Sequence, residues 1–368
     1  MNFAGALAVF LYAMKLMSEG LQKVAGSRLR AVLARFTGNP VSGILTGLGV
    51  TAAIQSSSAT TVMVVSFVSA GLLSLSGAVA VIMGANIGTT VTAWIITLLG
   101  LGEGSGVFSL PLTLAAASLP LLLSRKDTLR NTGQTVMGLA LLLVGMELLQ
   151  AAMPNLEDYP TLLQGIASLS GYGFWSVLIF TVIGALLTCI VQASAAMMAI
   201  TLVMCYNGWI GFDVAVALVM GQNIGTTITA NLAATVANDA GKKAARAHLL
   251  FNVIGVLLTL AAFRPLMNLI ASVTTSLTGT SPYAEAGAIP LAISLFHTVF
   301  NVGNTLVQAW FIRQIVWAVN RMVRPNHRGP LSIFVEYIAN ALQRLGKSCS
   351  QGLFWLYGMN EISGRNSR

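Results

Sequence analysis

The sequence predicts an all-α polytopic membrane protein made of two inverted repeats, each with a re-entrant hairpin and a broken transmembrane helix. Three observations carry that prediction. The first is composition: 55% of the 368 residues are hydrophobic and only 8% are charged, against about 25% charged in a soluble chain. The second is that the apolar residues fall in runs of helix length. At roughly 20 residues per crossing, the chain has room for about ten membrane segments, partial ones included. The third is self-similarity. Shifted by 137 positions, Gly47–Ala93 lies on Gly184–Ala230 without a gap, and 18 of the 47 positions are identical. The matches gather on polar residues and glycines, which general hydrophobicity does not explain. Such a composition excludes a soluble domain, a disordered chain and a nucleic-acid-binding module, so no nucleic acid is expected as a partner.

The elements follow in order. The opening MNFAGALAVFLYAM lacks a basic leader region and a small-residue cleavage site, so it reads as a first helix. Repeat one spans about 5–101. Within it the run from Pro40 to Ala70 is too long for one crossing yet holds no charged turn, which predicts a hairpin re-entering the membrane with Gln55–Ser58 at its tip. Residues 76–101 form a helix that Gly84 and Gly88 license to break. A crossing at 107–124 leads to repeat two, about 132–237: a helix at 132–152, a hairpin at 176–209, and a helix at 213–237 breaking at Gly221 and Gly225. Further helices fill 247–322 and carry HLLFN (248–252) and HTVFN (297–301), each with a His and an Asn four apart on one helix face. Residues 1–322 thus make the membrane domain. The tail 323–368 mixes apolar and basic residues, as cytoplasmic or membrane-surface segments do.

Charge sets the orientation. The net charge is +9, concentrated at Lys23, Arg28, Arg30 and Arg35, at Arg125, Lys126 and Arg130, at Lys242, Lys243 and Arg246, and from Arg313 to Arg328. These mark cytoplasmic connections. Glu103, Glu157, Asp158, Asp213 and Glu285 mark the other side, Asp213 in a loop. Three crossings between the hairpins invert the second repeat relative to the first. Arg264 is the one basic residue left outside.

From Phe36 to Gly102 and from Tyr159 to Phe212 there is no charged side chain and no histidine, only clustered amides and hydroxyls among apolar residues, and clusters this dense need partners. Gln55-Ser56-Ser57-Ser58-Ala59 lies on Gln192-Ala193-Ser194-Ala195-Ala196, and each is followed 29 residues later by GANIGTT (84–90) or GQNIGTT (221–227). Ser, Thr and Gly also serve as helix–helix glue, but a duplicated pattern points to a site. Gln, Asn, Ser and Thr offer both donors and acceptors, which suits phosphate-type oxygens and Na⁺ together. Opposed half-helix N-termini would serve the anion without Lys or Arg.

These four motifs, QSSSATT, GANIGTT, QASAA and GQNIGTT, resemble the paired QSSS-type repeats of the Na⁺/phosphate cotransporter family, bacterial relatives of the animal type II sodium–phosphate cotransporters. The resemblance covers roughly residues 5–315. It implies Na⁺-coupled transport of inorganic phosphate across the bacterial cytoplasmic (inner) membrane by alternating access, with Na⁺ as coupling ion and no other cofactor or metal. By that likeness Gln55, Ser56, Ser57, Ser58, Gln192 and Ser194 belong to the substrate and sodium site, and Asn86, Thr89, Thr90, Asn223, Thr226 and Thr227 line it from the broken helices. A homodimer within the lipid bilayer is a candidate assembly. The second motif departs from the pattern, with Ala193 and Ala195 for serines and Met197-Met198 for the Thr60-Thr61 of the first. Fewer oxygen ligands are therefore expected on that side.

Other polar residues have plainer readings. Lys15 and Glu19 suit a structural or interfacial ion pair, Glu147 an interfacial carboxylate, and His248 and His297 hydrogen bonds to Asn across packed helices. Catalysis needs positioned acids, bases or metal ligands, and the motif-bearing stretches 36–102 and 159–212 hold none, so no enzyme is expected. A passive anion channel and a non-transporting scaffold for a phosphate-regulatory partner are the alternatives to a carrier.

Overall fold

A computed structural model describes residues 3–35, 39–100, 109–153 and 160–323. Glu103, Glu157, Asp158, the side chains of Arg28, Arg30 and Arg35, and the tail from Arg324 onward lie outside the described residues, so the expectations placed on them are untouched.

The chain begins with α1 (Phe3–Arg35). Next, α2 (Pro40–Ile54) and α3 (Ser57–Ser69) form a helix–break–helix pair. Pro40 suits the first turn, where its missing N–H costs nothing. Asn39 caps α2 by accepting from the Ser42 N–H at 2.8 Å, and Ser56 caps α3 by accepting from the Ala59 N–H at 3.2 Å. Then come α4 (Leu75–Gly88) and α5 (Thr90–Ile95), which runs into a π-helical turn at Ile96–Gly100. After α6 (Ser109–Leu122) and α7 (Asp127–Ala151) comes α8 (Pro160–Ser170). The second helix–break–helix pair is α9 (Phe174–Val191) and α10 (Ser194–Tyr206), followed by α11 (Phe212–Gly225) and α12 (Thr227–Ala233). The last four are α13 (Asp239–Ala261), α14 (Phe263–Thr278), α15 (Ile289–Gln308) and α16 (Ile312–Met322).

No strand occurs among the described residues. Six segments are long and apolar enough to cross a membrane: Phe3–Ala25, Leu75–Leu99, Asp127–Ala151, Phe174–Val191, Asp239–Ala261 and Ala286–Met322. The crossing expected at 107–124 is not among them. Helix α6 has 14 described residues with Pro120 inside, about 21 Å of helix against a hydrocarbon core of about 30 Å.

The repeats share their packing. Helix α2 lies on α4 as α9 lies on α11, and glycines hold both pairs together. A Cβ on Gly47 would stand on the Val81 carbonyl, and one on Gly84 on the Ile44 carbonyl. In the second copy Gly184 meets the Leu218 carbonyl and Gly221 meets Thr181. Close approach of two helix backbones is what small residues four apart permit. This corrects the expectation that Gly84, Gly88, Gly221 and Gly225 unwind their helices. The interruptions fall one residue later, at Thr89 (φ −66°, ψ −22°) and Thr226 (φ −62°, ψ −20°), and both residues remain right-handed helical. Each motif helix is therefore interrupted at one residue that keeps helical dihedrals, rather than unwound at its glycines.

The flanking helices extend the correspondence. Helix α13 packs on α3, α4 and α12, and α15 on α10, α11 and α5, which matches their related HLLFN and HTVFN sequences. Their histidines do not bond to asparagines across helices, as the sequence suggested. Asn252 and Asn301 instead donate to the carbonyls of His248 and His297 on their own helices, at 3.0 and 2.8 Å. Asn304 and Gln308 make the interhelical bonds, both to the Phe251 carbonyl.

Asp213 stands in the first turn of α11 rather than in a loop, where its charge complements the helix dipole. It pairs with Arg264 at 3.1 Å and accepts from the Tyr283 hydroxyl at 2.8 Å. That pairing gives Arg264, the one basic residue expected outside, a local partner.

Candidate functional site

Each helix–break–helix pair turns at a glutamine. Gln55 (φ 51°) and Gln192 (φ 55°) are the only non-glycine residues with positive φ among the described residues, a conformation that costs an L-residue about 1–2 kcal/mol. At the first tip the Gln55 side chain is engaged. Its Nε2 donates to the Ala52 carbonyl at 2.6 Å, and its Oε1 accepts from Thr92 Oγ1 at 2.9 Å. The second tip is looser. Ala193 occupies the cap position without a side chain to accept from α10, and Gln192 is exposed.

The two tips meet in one cavity of about 250 Å³, space for a tetrahedral oxyanion with several ions or waters, each water claiming about 30 Å³. Of the twelve residues expected at the site, nine line it: Gln55, Ser56, Ser57, Ser58, Thr89, Gln192, Ser194, Asn223 and Thr226. Asn86, Thr90 and Thr227 are not brought to it. Asn86 donates to the Ile82 carbonyl at 2.8 Å within α4, and Thr90 and Thr227 donate back across the interruptions to the Ile87 and Ile224 carbonyls at 2.8 and 2.7 Å, so each bonds to backbone three or four residues before it.

The cavity also takes in residues that the sequence reading left out, namely Thr92, Gln222, Ser18, Lys15 and His297. Thr92 had a signal, because it and Thr229 match between the repeats. Gln222 was visible as the one difference between GANIGTT and GQNIGTT. Lys15 corrects the picture of a site without fixed positive charge. Its ammonium is 3.8 Å from Glu19, with both side chains largely exposed, so the pair adds a nearby cation whose field its partner largely offsets.

Hydroxyl bonds tie the first tip to the motif helices of both repeats. Thr89 Oγ1 donates to Ser57 Oγ at 3.2 Å, which leaves the Ser57 proton free for a ligand. Thr229 Oγ1 reaches Ser58 Oγ at 3.2 Å and so joins repeat two to the first tip. The arrangement offers neutral donors and acceptors side by side, with one offset lysine beside them.

The model of the Na⁺/Pi-cotransporter family matches residues 9–151 and 176–296, which include every cavity residue except His297. The chain belongs to the Na⁺/Pi-cotransporter family. This is a family of transporters, not enzymes, and with six apolar helices the chain is a multi-pass membrane protein. It is similar to the putative inorganic phosphate export protein YjbB of Salmonella typhimurium, with 29% identity over 328 residues, 88% of this chain and 56% of that protein. It is 32% identical over 262 residues to the uncharacterized protein YqeW of Bacillus subtilis, covering 70% of this chain and 81% of that one. A shorter match joins it to the sodium-dependent phosphate transport protein 2A of Rattus norvegicus, 42% over 105 residues, 27% of this chain and 16% of that protein. The chain spans about half the length of the YjbB relatives. No solved structure matches it.

Proposed function

We propose that the chain carries inorganic phosphate together with Na⁺ across the bacterial cytoplasmic membrane by alternating access. In this reading residues 1–322 form the transport domain, and α2–α3 and α9–α10 are re-entrant hairpins of two inverted repeats. The tips supply Gln55, Ser56, Ser57, Ser58, Gln192 and Ser194, and the motif helices supply Thr89, Asn223 and Thr226. Asn86, Thr90 and Thr227 brace those helices from within. One observation carries the reading: both copies of the motif converge on a single cavity.

The chemistry supports sodium coupling. A phosphate dianion entering a low-dielectric site needs compensating charge, and Lys15 is already offset by Glu19. Co-bound Na⁺ supplies the rest, held by amide and hydroxyl oxygens. A tenfold sodium gradient contributes about 1.4 kcal/mol per ion, so two ions support roughly a hundredfold phosphate gradient.

The names of the YjbB relatives favour a second reading, export. Proteoliposomes loaded with Na⁺ on either side test the coupling that both directions would share. Sodium symport gives phosphate flux that follows the sodium gradient in both orientations and stops when K⁺ or choline replaces Na⁺. Flux indifferent to that replacement marks a passive anion channel, and absence of flux marks a scaffold.

A further inference from the structure

The two halves of the cavity are not equivalent in oxygen atoms, and the difference has a direction. In the first half the tip carries Ser56, Ser57 and Ser58, and the next turn carries Thr60, whose Oγ1 accepts from Thr51 at 2.9 Å. In the second half Ala193, Ala195 and Met197 stand at the positions of Ser56, Ser58 and Thr60. Thr188, the counterpart of Thr51, is fully buried with its Oγ1 unpartnered. The opposite exchange occurs on the motif helix, where the small Ala85 of repeat one becomes Gln222 in repeat two.

Gln222 is 3% exposed and lines the cavity. The orientation of its amide follows from its neighbours. Nε2 lies 2.8 Å from Thr201 Oγ1 and 3.4 Å from the Met197 carbonyl. That carbonyl can only accept. Thr201 has already given its one proton to the same carbonyl at 2.8 Å, so its oxygen can only accept as well. The amide must therefore turn its NH₂ toward α10. Its Oε1 is left buried with no partner. A buried acceptor without a donor is costly, and a cation or a donating ligand would satisfy it. The next residue, Asn223, also lines the cavity, and its Nδ2 gives one of its two protons to the Val219 carbonyl at 2.8 Å, which leaves its Oδ1 able to accept from or coordinate a ligand.

We infer that Gln222, with Asn223 beside it, forms a Na⁺ site in the second half of the cavity, its amide oxygen replacing the hydroxyls that the second tip lacks. An anion is the poorer occupant, because Gln222 has spent both of its N–H donors and Asn223 one of its two, so the pair presents mainly oxygen. The inference rests on the sodium-coupled reading above and names the residue through which one ion is held.

The test uses Gln222→Met, which keeps the volume but removes the oxygen, and Gln222→Glu, which keeps an oxygen and adds charge. Initial phosphate uptake by the reconstituted full chain is measured against Na⁺ concentration. In parallel, the rise in thermal midpoint on replacing choline with Na⁺ is measured on the purified protein without phosphate. The expected result is a rise of about tenfold in half-saturating Na⁺ for Gln222→Met, equivalent to about 1.4 kcal/mol. Its Na⁺-dependent thermal shift should be smaller, and its half-saturating phosphate at high Na⁺ unchanged. Gln222→Glu is expected to require less Na⁺ than the parent. If the parent responds to Na⁺ and Gln222→Met responds identically, the inference is overturned and the sodium-coupled reading stands. A change in phosphate half-saturation alone would assign the amide to the anion and overturn it too. If Gln222→Met fails to fold, an unaltered Na⁺ requirement in Gln222→Glu has the same consequence. A parent indifferent to Na⁺ in both measurements overturns the functional reading and this site together.

Discussion

Two glycines in one helix are expected to respond oppositely to the same substitution. Gly47 and Gly49 both lie in α2, two residues apart. A Cβ added at Gly47 meets the Val81 carbonyl carbon at 2.8 Å and the Ala85 nitrogen at 2.9 Å, besides the Val81 oxygen, whereas one added at Gly49 meets nothing within 4 Å. Comfortable carbon contacts are about 3.5–4.0 Å. The obstacle at Gly47 is helix backbone, which cannot rotate aside, so α2 and α4 must separate by roughly 1 Å. Overpacking of this kind costs about 1–3 kcal/mol, and rigid neighbours put it near the top of that range. Both substitutions gain about 1 kcal/mol of helix propensity. Gly47→Ala should therefore lose about 2 kcal/mol, and Gly49→Ala should gain up to about 1 kcal/mol. Repeat two supports the contrast, since Gly184 matches Gly47 but the counterpart of Gly49 is Leu186, 58% exposed. The assay is the thermal midpoint of each purified variant in one detergent, read as an order: Gly49→Ala at or above the parent, Gly47→Ala clearly below. Equal shifts for the two would refute the argument that glycine is required by backbone contact.

Further outcomes are expected elsewhere. Ser57→Ala should cut sodium-driven phosphate uptake at least about tenfold in a folded protein, because neighbouring ligands act jointly, while Ser194→Ala should chiefly raise the sodium requirement; uptake at the parental rate by Ser57→Ala would make that tip helix glue. Cysteines placed at Val41 and Tyr172, both exposed at the starts of the two hairpin pairs, should label from opposite faces of the membrane if the repeats are inverted, and labelling from one face would contradict the inversion. Burial raises the Tyr283 phenol above its ordinary value, with its hydrogen bond to Asp213 and that carboxylate's charge adding to the rise and Arg264 opposing it. A raised folded value means the neutral phenol stabilises the fold fully below about pH 10, and the contribution disappears as pH climbs through the folded value. Ultraviolet titration should therefore show one late-ionising tyrosine that Tyr283→Phe removes, and an unchanged titration curve would contradict it.

Much of the helical layout was readable because the repeat reveals itself in sequence. The turns at Gln55 and Gln192 fall where the polar tips were placed, and nine of the twelve residues expected at the site line one cavity. What went unread has physical causes. Gly84 and Gly88, like Gly221 and Gly225, are spaced four apart, which is the signature of close helix packing; reading glycine as backbone freedom missed that the same residue is used for its missing Cβ. Asn86, Thr90 and Thr227 look like ligands by type, but in a membrane helix such side chains can bond to carbonyls three or four residues back. Lys15 and His297 are brought to the cavity by α1 and α15, helices outside the duplicated 47-residue block, so the repeat could not announce them. Helix α6 is apolar enough for a crossing yet short in its described part, a distinction hydropathy alone does not make.

The left-handed glutamines have a bearing on how this protein could be made hardier. Glycine is the residue that such a backbone favours, and at about 1–2 kcal/mol apiece the two tips together hold a noticeable fraction of a typical folding stability. A screen that rewarded heat resistance alone would tend to replace Gln55 and Gln192 first. The glycine variants it selected would lose the Gln55 bridge to Thr92 and the open amide at the second tip. If these glutamines hold the cargo as proposed, selection for robustness and selection for transport pull against each other at these same two positions, so thermostable versions are better sought at sites such as Gly49, where an added Cβ meets nothing within 4 Å.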